Sequence, residues 1–255
     1  MTSARAFFPA NAVVRRVDSE AILLLGGGRA LLMQLAHPSV AAGVAEHSDF
    51  ASDPLSRLRR TLEATYTVVF GTEEQARLVG AQLRAVHDRV TGSGYIANDP
   101  ELLMWVHATL VDTALLVHER FLGRLGSGED ERYYQESKII GEVFGVSFDV
   151  QPDSLGDFRD YVRGMVATLE VSTTARQLCR SILHPRLPAV TEPAMILVRQ
   201  LTTGLLPPPL RRQYRLSWDR PRQATLDVAS AAARQVLPRV PSVLRRVPTA
   251  RIAAA

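Results

Sequence analysis

The chain has 255 residues, of which 46% are hydrophobic, and a formal net charge of +4 at pH 7. This is enough apolar sequence for a domain with a substantial core, and the single cysteine, Cys179, excludes a disulfide framework and metal sites built from cysteines. Because no apolar run reaches the roughly 18 to 20 residues of a membrane span and the N-terminus lacks a signal-peptide core, we expect a cytoplasmic protein, either free or peripheral to a membrane.

Charge is distributed unevenly along the chain. From Leu205 onward, ten arginines accompany only two acidic residues, Asp219 and Asp227. A basic segment of this kind is either a solvated surface or a contact for an anionic partner such as a membrane surface. Aromatic residues are not interleaved with these arginines as a stacking platform for bases requires, so we expect no nucleic acid partner.

Helix signals follow one another along most of the chain. Asp18 and Ser19 are predicted to cap a helix that continues through the glycines at 26–28 and stops near His37, before Pro38. The same kinds of signal predict helices over residues 40–46, 54–70, 72–90, 99–123, 131–144, 157–169, 173–183 and 193–203. The three prolines at 207–209 break the chain, and the stretch from Pro238 onward, rich in Pro, Arg and Ala, is predicted to be partly disordered.

Strand-like alternation is scarce and there is no internal repeat. We therefore predict an all-α protein with a single globular domain of about ten helices. The predicted domain covers residues 18–220, between an N-terminal arm at 1–17 and a basic C-terminal segment at 221–255.

The helix predicted over 99–123 has the best-marked start, because Asp99 is a favourable N-cap and Pro100 suits the first helical position. Residues of one face recur at spacings of three and four: Leu103, His107, Leu110, Ala114, Val117 and Phe121. His107 is thus predicted to point into the core, where an unsatisfied polar group costs roughly 1–3 kcal/mol. It is either a core histidine bonded to a nearby carbonyl or side chain, or a metal ligand such as the axial ligand of a haem iron.

Several catalytic motifs are absent. GGGRAL at Gly26 lacks the Lys-Ser/Thr ending and the preceding strand of a phosphate loop, so its glycines are predicted to allow close approach of a neighbouring helix or of a flat ligand. The sequence has no Glu-x-x-His pair of a di-iron bundle and no Gly-x-Ser-x-Gly elbow of a serine hydrolase.

Other polar residues are candidates for a site. His37 and His47 either contact a cofactor or have structural roles; His37, for example, ends a helix where an imidazole can bond free carbonyls. Arg57, Arg60 and Thr61 share one helix face. They are either solvated or donors for the propionates and the oxygen ligand of a haem.

Four long blocks resemble, in order, those of the DUF2236 family, also called the MpaB / rubber oxygenase (latex clearing protein) catalytic domain. The blocks are LLGGGRALLMQLAHPSVAAGVAEHSDF, DPLSRLRRTLEATYTVVFGT, YIANDPELLMWVHATLVDTALLVHERF and ERYYQESKIIGEVFGV. The resemblance covers about residues 18–220. It implies a globin-like helical fold around haem b, and an oxygenase that uses dioxygen on hydrophobic, often isoprenoid, substrates.

The resemblance also implies roles for particular residues. His107 matches the histidine of the family's Trp-x-His-Ala-type block, which would make it the proximal iron ligand. Arg57, Arg60 and Thr61 are similar to an Arg-x-x-Lys-Thr motif of the distal pocket, with Arg60 in place of the lysine. A guanidinium is not expected to ligate iron, so the resting site should be open, water-bound or ligated by another residue. The glutamate base of rubber oxygenases has no firm counterpart, and Glu46 is a candidate.

We therefore expect a haem-dependent oxygenase or peroxidase-type oxidoreductase that acts with O2 or peroxide on a small hydrophobic substrate. One alternative is a non-catalytic carrier of haem or of a hydrophobic ligand. Another is a helical protein that has lost its metal and acts structurally or at a membrane surface through its basic tail. The sequence leaves the substrate open, as well as the choice between a monomer and a homo-oligomer.

Overall fold

The computed structural model describes residues 5–47, 54–185 and 187–248, with the backbone alone over 54–58. This part of the chain is all-α, as predicted. Its helices are α1 (Val13–Asp18), α2 (Gly27–Ala36), α3 (Pro38–His47), α4 (Pro54–Phe70), α5 (Glu73–His87), α6 (Pro100–Phe121), α7 (Glu129–Val143), α8 (Leu155–Thr168), α9 (Thr173–Leu183), α10 (Glu192–Leu205), α11 (Pro208–Gln213), α12 (Arg220–Val236) and α13 (Ser242–Arg245). Two-residue strands β1 (Thr91–Gly92) and β2 (Tyr95–Ile96) pair antiparallel between α5 and α6.

Two helix starts follow the local signals closely. Before α5, the Thr72 hydroxyl accepts from the Gln75 N–H at 3.3 Å while the Gln75 side-chain oxygen accepts from the Thr72 N–H at 2.9 Å, which completes a capping box. Before α6, Asp99 Oδ1 accepts from the Glu101 N–H at 2.8 Å and Pro100 takes the first helical position. The predicted starts of both helices are confirmed.

The first predicted helix is divided in the structure. Ala21–Gly26 forms a 3-10 helix and α2 begins at Gly27. The prediction that Asp18 or Ser19 caps it is wrong, because Asp18 is the buried last residue of α1 and the Ser19 hydroxyl donates backward to the Arg16 carbonyl at 2.8 Å. The 3-10 helix has no side-chain cap at its start and packs against α6 and α10.

Gly26 and Gly28 permit close helix packing. A Cβ on Gly26 would overlap Thr113 of α6, and a Cβ on Gly28 would overlap the hydroxyl of Thr202 on α10. The close approach of neighbouring helices, one of the two predicted uses of these glycines, is therefore confirmed.

Helix α6 is the centre of the domain and packs against α2, α7, α8 and α12. Trp105 is fully buried on it and donates from Nε1 to the Met33 carbonyl of α2 at 3.1 Å. Helix α6 also meets the length and hydropathy criteria of a membrane span, but half of its most apolar window is buried inside the domain, and a central core helix can have the same composition.

Arg29 of α2 joins three helices although its side chain is almost wholly buried. Its Nε donates to the Leu205 carbonyl of α10 at 2.9 Å. Its two terminal nitrogens bond to Thr113 Oγ1 at 2.5 Å and Asp112 Oδ2 at 2.6 Å, both on α6. Each donor edge of the guanidinium therefore has a fixed partner.

Residues outside the predicted 18–220 boundaries also take part in the packing. Helix α1 packs on α7, while α12 packs on α6 and α10 and buries Leu226. After α13, the Val247 N–H donates to the Ser19 carbonyl at 2.8 Å and Arg245 pairs with Glu20 at 3.0 Å. The described part of the basic C-terminal segment thus folds back onto the N-terminal part of the domain.

Candidate cofactor pocket

A cavity of about 150 Å³ lies between the end of α1, the 3-10 helix, α2, α4, α6 and α7. Most of its wall is apolar and includes Leu23, Leu24, Leu31, Leu62, Leu110, Val111 and Ile140. The polar wall residues are Asp18, Gln34, Thr61, Thr65, Tyr66, His107, Thr113, Tyr133 and Ser137. Leu24 and Thr61 are exposed, so the cavity opens between the 3-10 helix and α4.

His107 lies in this wall and is 6% exposed, which confirms that it points inward. Burial lowers the pKa of the imidazole to about 4, although a backbone hydrogen bond with Ser137 partly opposes this shift. The ring is therefore neutral at pH 7 and carries a lone pair on one nitrogen. Nε2 has no hydrogen-bond partner within the part of the chain that the structure describes.

The His107 ring packs against α7 at a glycine. A Cβ on Gly141 would come within 3.0 Å of both Cδ2 and Nε2 of His107, and within 2.9 Å of the side-chain oxygen of Gln151. Glycine at this position therefore leaves space beside the imidazole that any larger residue would fill.

A buried carboxyl forms a second polar feature of the cavity. Asp18 is 8% exposed, and its Oδ1 accepts from the Tyr133 hydroxyl at 3.0 Å. Burial raises the pKa of Asp18 to about 7, with the Tyr133 bond opposing, and burial together with the Asp18 charge raises the pKa of Tyr66 to about 12. No cation among the described side chains pairs with Asp18. This carboxyl can therefore gain or lose a proton near neutral pH.

Sequence reasoning missed this cluster. Asp18 and Tyr133 are 115 positions apart, and no local pattern links them. Tyr133 lies in one of the blocks that carry the family resemblance, which is the one signal that could have singled it out.

Of the predicted arginine and threonine set on α4, Thr61 lines the cavity. Arg60 is exposed and is not part of the wall. The side chain of Arg57 lies outside the described residues, and its backbone is one helical turn before Thr61. The roles of the two arginines stay predictions.

The structure does not bring Glu46 and His47 to this cavity. Glu46 Oε2 accepts from the Tyr95 hydroxyl at 2.7 Å, and His47 Nε2 lies 3.0 Å from the Thr91 carbonyl oxygen. Both side chains thus contact the β1–β2 hairpin. Their predicted roles as a base and as a cofactor contact are not tested by these contacts.

His37 also lies outside the cavity wall. It follows the last residue of α2, and its Nδ1 accepts from the Ser39 N–H at 3.3 Å. Burial lowers the pKa of His37, while the negative charges of Asp99 and Glu101 oppose the shift. Its nearest charged groups are therefore at the start of α6, and its predicted cofactor contact stays a prediction.

The residues present fit a cofactor held by one protein ligand. Among the described residues, no group of three or more His, Cys, Asp or Glu side chains could hold a metal ion. A haem needs no such group, because the porphyrin supplies four nitrogens and one imidazole can supply the axial bond. The neutral, buried ring of His107 meets that need. At about 150 Å³ the cavity is smaller than the roughly 300 to 1,000 Å³ of most ligand pockets, so a haem would need more space than this structure leaves open.

The fold and the cavity define an all-α protein with a buried imidazole in the wall of a largely apolar pocket. Residues 14–235 match the family described as "ER-bound oxygenase mpaB/B'/Rubber oxygenase, catalytic domain", and the chain belongs to this family. It is 28% identical over 207 residues to "Uncharacterized protein Mb2261" of Mycobacterium bovis and to "Uncharacterized protein Rv2237" of Mycobacterium tuberculosis, covering 76% of this chain and 80% of each relative. No solved structure gives a significant match. The predicted family is confirmed.

Proposed function

We propose that the chain is a haem b-dependent oxygenase or peroxidase-type oxidoreductase that acts with dioxygen or peroxide on a small hydrophobic substrate. Membership of a family of oxygenase catalytic domains supports the reaction class. The main observation in support of the haem cofactor is the buried, neutral imidazole of His107 in the wall of a mostly apolar cavity. Its Nε2 atom has no hydrogen-bond partner among the described residues.

In this proposal His107 holds the iron, and haem supplies the oxidation chemistry when bound. Leu31, Leu62 and Leu110 desolvate the substrate and exclude water. Thr61 presents a hydroxyl at the mouth of the cavity. Arg57, one turn before it, is the proposed partner of a propionate.

Asp18 and Tyr133 form a hydrogen-bonded pair in the cavity wall that can hold a proton. Asp18 Oδ1 accepts from the Tyr133 hydroxyl, and the carboxyl pKa of about 7 leaves Asp18 divided between its two protonation states at neutral pH. We therefore assign to this pair the delivery or removal of a proton at a polar group in the cavity.

A non-catalytic carrier of haem or of a hydrophobic ligand is the second candidate. The specific observation in its favour is that Arg60, part of the predicted distal motif, is exposed and outside the cavity wall. Measurements of O2 consumption and of peroxide consumption with lipophilic and phenolic compounds distinguish the two, since an oxygenase or peroxidase consumes O2 or peroxide and a carrier does not.

The cofactor assignment is tested by His107→Ala in protein expressed with a haem precursor. We expect wild-type protein to show a Soret band that shifts with dithionite and CO, and haem occupancy in the variant to fall about tenfold or more, because the cofactor loses its axial ligand. His118→Ala is the matched control, since His118 lies on the same helix outside the cavity wall, with Nδ1 3.0 Å from the Gly123 carbonyl oxygen. Full occupancy in His107→Ala would refute the assignment.

A further inference from the structure

Asp18 is a carboxyl group without a counter-charge in the wall of the apolar cavity. Its side chain is 8% exposed, and its Oδ1 accepts from the Tyr133 hydroxyl at 3.0 Å. Among the described residues this is the one hydrogen bond of the carboxyl, so Oδ2 has no donor there. No described arginine, lysine or histidine pairs with Asp18 either.

A buried carboxylate is costly unless a positive charge compensates it. A metal ion, a proton or a cation carried by a bound molecule can do so. A metal ion needs several protein ligands, and the described residues contain no group of three or more His, Cys, Asp or Glu that could hold one. A proton compensates the charge only in part at pH 7, because burial raises the pKa of Asp18 to about 7. A cation carried by a bound molecule is the remaining partner.

The rest of the cavity determines what kind of molecule can carry that cation. Most of the wall is apolar, and its volume of about 150 Å³ is enough for a body roughly the size of a benzene ring. The other titratable residues of the wall are neutral at pH 7, since burial lowers the pKa of His107 and raises the pKa values of Tyr66 and Tyr133. Asp18 is therefore the one wall residue that can carry a charge at this pH.

We propose that Asp18 is a specificity-determining residue of this cavity, and that its carboxylate binds the ammonium group of a small primary amine whose apolar body fills the remaining space. Oδ2 accepts from the ammonium group while Oδ1 keeps its bond to Tyr133. An ammonium group is compact and can bind a single carboxylate oxygen, whereas a flat guanidinium is suited to two. That such an amine is a substrate, and not only a ligand, rests on the proposed function.

Benzylamine, benzyl alcohol and toluene test this preference, because they share one apolar body and differ in its polar group. Calorimetric titration of the full-length, haem-free chain at pH 8 should show benzylamine binding at least about tenfold more tightly than the other two. The net charge of +4 disfavours unspecific binding of a cation to the surface. Equal affinities for benzylamine and benzyl alcohol, or no binding of benzylamine, would overturn the proposal.

Asp18→Asn removes the charge and keeps an oxygen that can accept from Tyr133. We expect its affinity for benzylamine to fall about tenfold or more, to that for toluene, while the affinity for toluene changes by less than about twofold. Glu142→Gln is the matched control, since Glu142 is exposed on α7 and lies outside the cavity wall. An equal loss for all three compounds in Asp18→Asn would show a structural role and contradict the proposal.

The dependence of binding on pH is a second readout. Between pH 8 and pH 6 the ionised fraction of Asp18 falls about tenfold, so the affinity for benzylamine should fall by the same factor. The other titratable groups of the wall, Tyr66, His107 and Tyr133, do not change charge over this range. Toluene should show no such fall, and the same fall for benzylamine in Asp18→Asn would rule out Asp18 as its cause.

Proton release keeps the test decisive should Asp18→Asn not fold. Binding of an ammonium group requires the ionised carboxyl, and Asp18 is about half protonated at pH 7. Titration of wild type in two buffers of different ionisation enthalpy should therefore show release of about half a proton per benzylamine and no release for toluene. Binding of benzylamine without proton release would contradict the proposal.

These measurements use the haem-free chain and so are independent of the proposed function. If benzylamine binds through Asp18 and wild type binds no haem, the proposed function fails and the amine site stands. In an active haem-loaded protein we expect kcat/KM to be about tenfold higher for benzylamine than for benzyl alcohol, and this preference to be lost in Asp18→Asn. Turnover of both compounds without a preference would refute the role of Asp18 in specificity and leave the function in place.

Discussion

Asp18 and His107 lie in the wall of one cavity, and burial moves their pKa values in opposite directions. The pKa of Asp18 rises from 3.8 to about 7, so the folded protein holds a proton that the unfolded chain releases. This contribution is fully present below pH 4 and is lost as the pH rises to 7, by about 4 kcal/mol. The pKa of His107 falls from 6.5 to about 4, so its contribution is present above pH 6.5 and is lost as the pH falls to 4, by about 3 kcal/mol.

These two effects oppose each other between pH 4 and 6.5, and single variants should reveal each of them. In urea unfolding of the haem-free protein at pH 4.5 and 6.5, we expect the stability of Asp18→Asn to rise with pH relative to wild type, and that of His107→Gln to fall relative to wild type. Asn can still accept from the Tyr133 hydroxyl, so the variant removes the titration and keeps the bond. The same pH dependence in Asp18→Asn and wild type would contradict the assignment of a raised pKa.

The residues of the site differ in how far the sequence could reveal them. His107 could be placed inside the core because the spacing of apolar residues along one helix is a local signal. Asp18 could not, since its burial and its bond to Tyr133 depend on how α1 packs on α7.

At the scale of helices, the contact between α2 and α10 depends on the absence of a side chain at Gly28. A Cβ there would overlap the Thr202 hydroxyl. We therefore expect Gly28→Ala to lower the free energy of unfolding by roughly 1–3 kcal/mol, with part of the loss recovered in Gly28→Ala/Thr202→Ala. Urea unfolding at constant pH measures both values.

Gly164 provides a matched control for this substitution. It lies in α8, is exposed, and has nothing within 4 Å of a built Cβ. Gly164→Ala should raise the free energy of unfolding by up to about 1 kcal/mol, because alanine favours the helix. Equal effects of the two substitutions would rule out the close α2–α10 contact as the cause.

Helix starts were predictable where a cap and its partner lie within one turn, as at Thr72 and Asp99. The 3-10 helix before α2 could not be predicted, because its start has no side-chain cap and because Gly26 and Gly28 pack closely against α6 and α10. Tertiary contacts therefore determine the geometry of this segment, for which the sequence gives no local capping signal.

At the scale of the whole molecule, an ion pair between buried Glu20 and partly buried Arg245 joins the N-terminal part of the described chain to its C-terminal part. Glu20 is 5% exposed; burial raises its pKa, and Arg245 and Arg246 oppose the shift. A chain that ends at Val240 leaves this carboxyl without both arginines. We expect its free energy of unfolding at pH 8 to fall by roughly 3–5 kcal/mol, as for a buried charge that has lost its partner.

The same shortening in a Glu20→Gln background tests the cause of that loss. Without a charge at position 20, the shortened chain should lose clearly less stability relative to its own full-length parent. Thermal and urea unfolding of the four proteins gives the comparison, and equal losses in both backgrounds would show that the ion pair is not responsible.

The all-α class and the single domain could be predicted from composition and periodicity, because these two signals are repeated over many residues. The return of the C-terminal segment to Glu20 did not, since a run rich in Pro, Arg and Ala gives no periodic signal and its contacts lie more than 200 positions away. Contacts between distant parts of a chain are therefore the structural feature that is hardest to predict from a single sequence.

The buried guanidinium of Arg29 has a consequence for any molecule that enters the pocket. It binds α2 to α6 and α10 through rigid, planar bonds, and α2 and α6 are two walls of the pocket. The distance between those two walls is therefore fixed before a molecule enters the pocket. Selection among hydrophobic guests should then depend more on their thickness than on their length, since the open end beside Leu24 places no comparable limit on how far a guest extends.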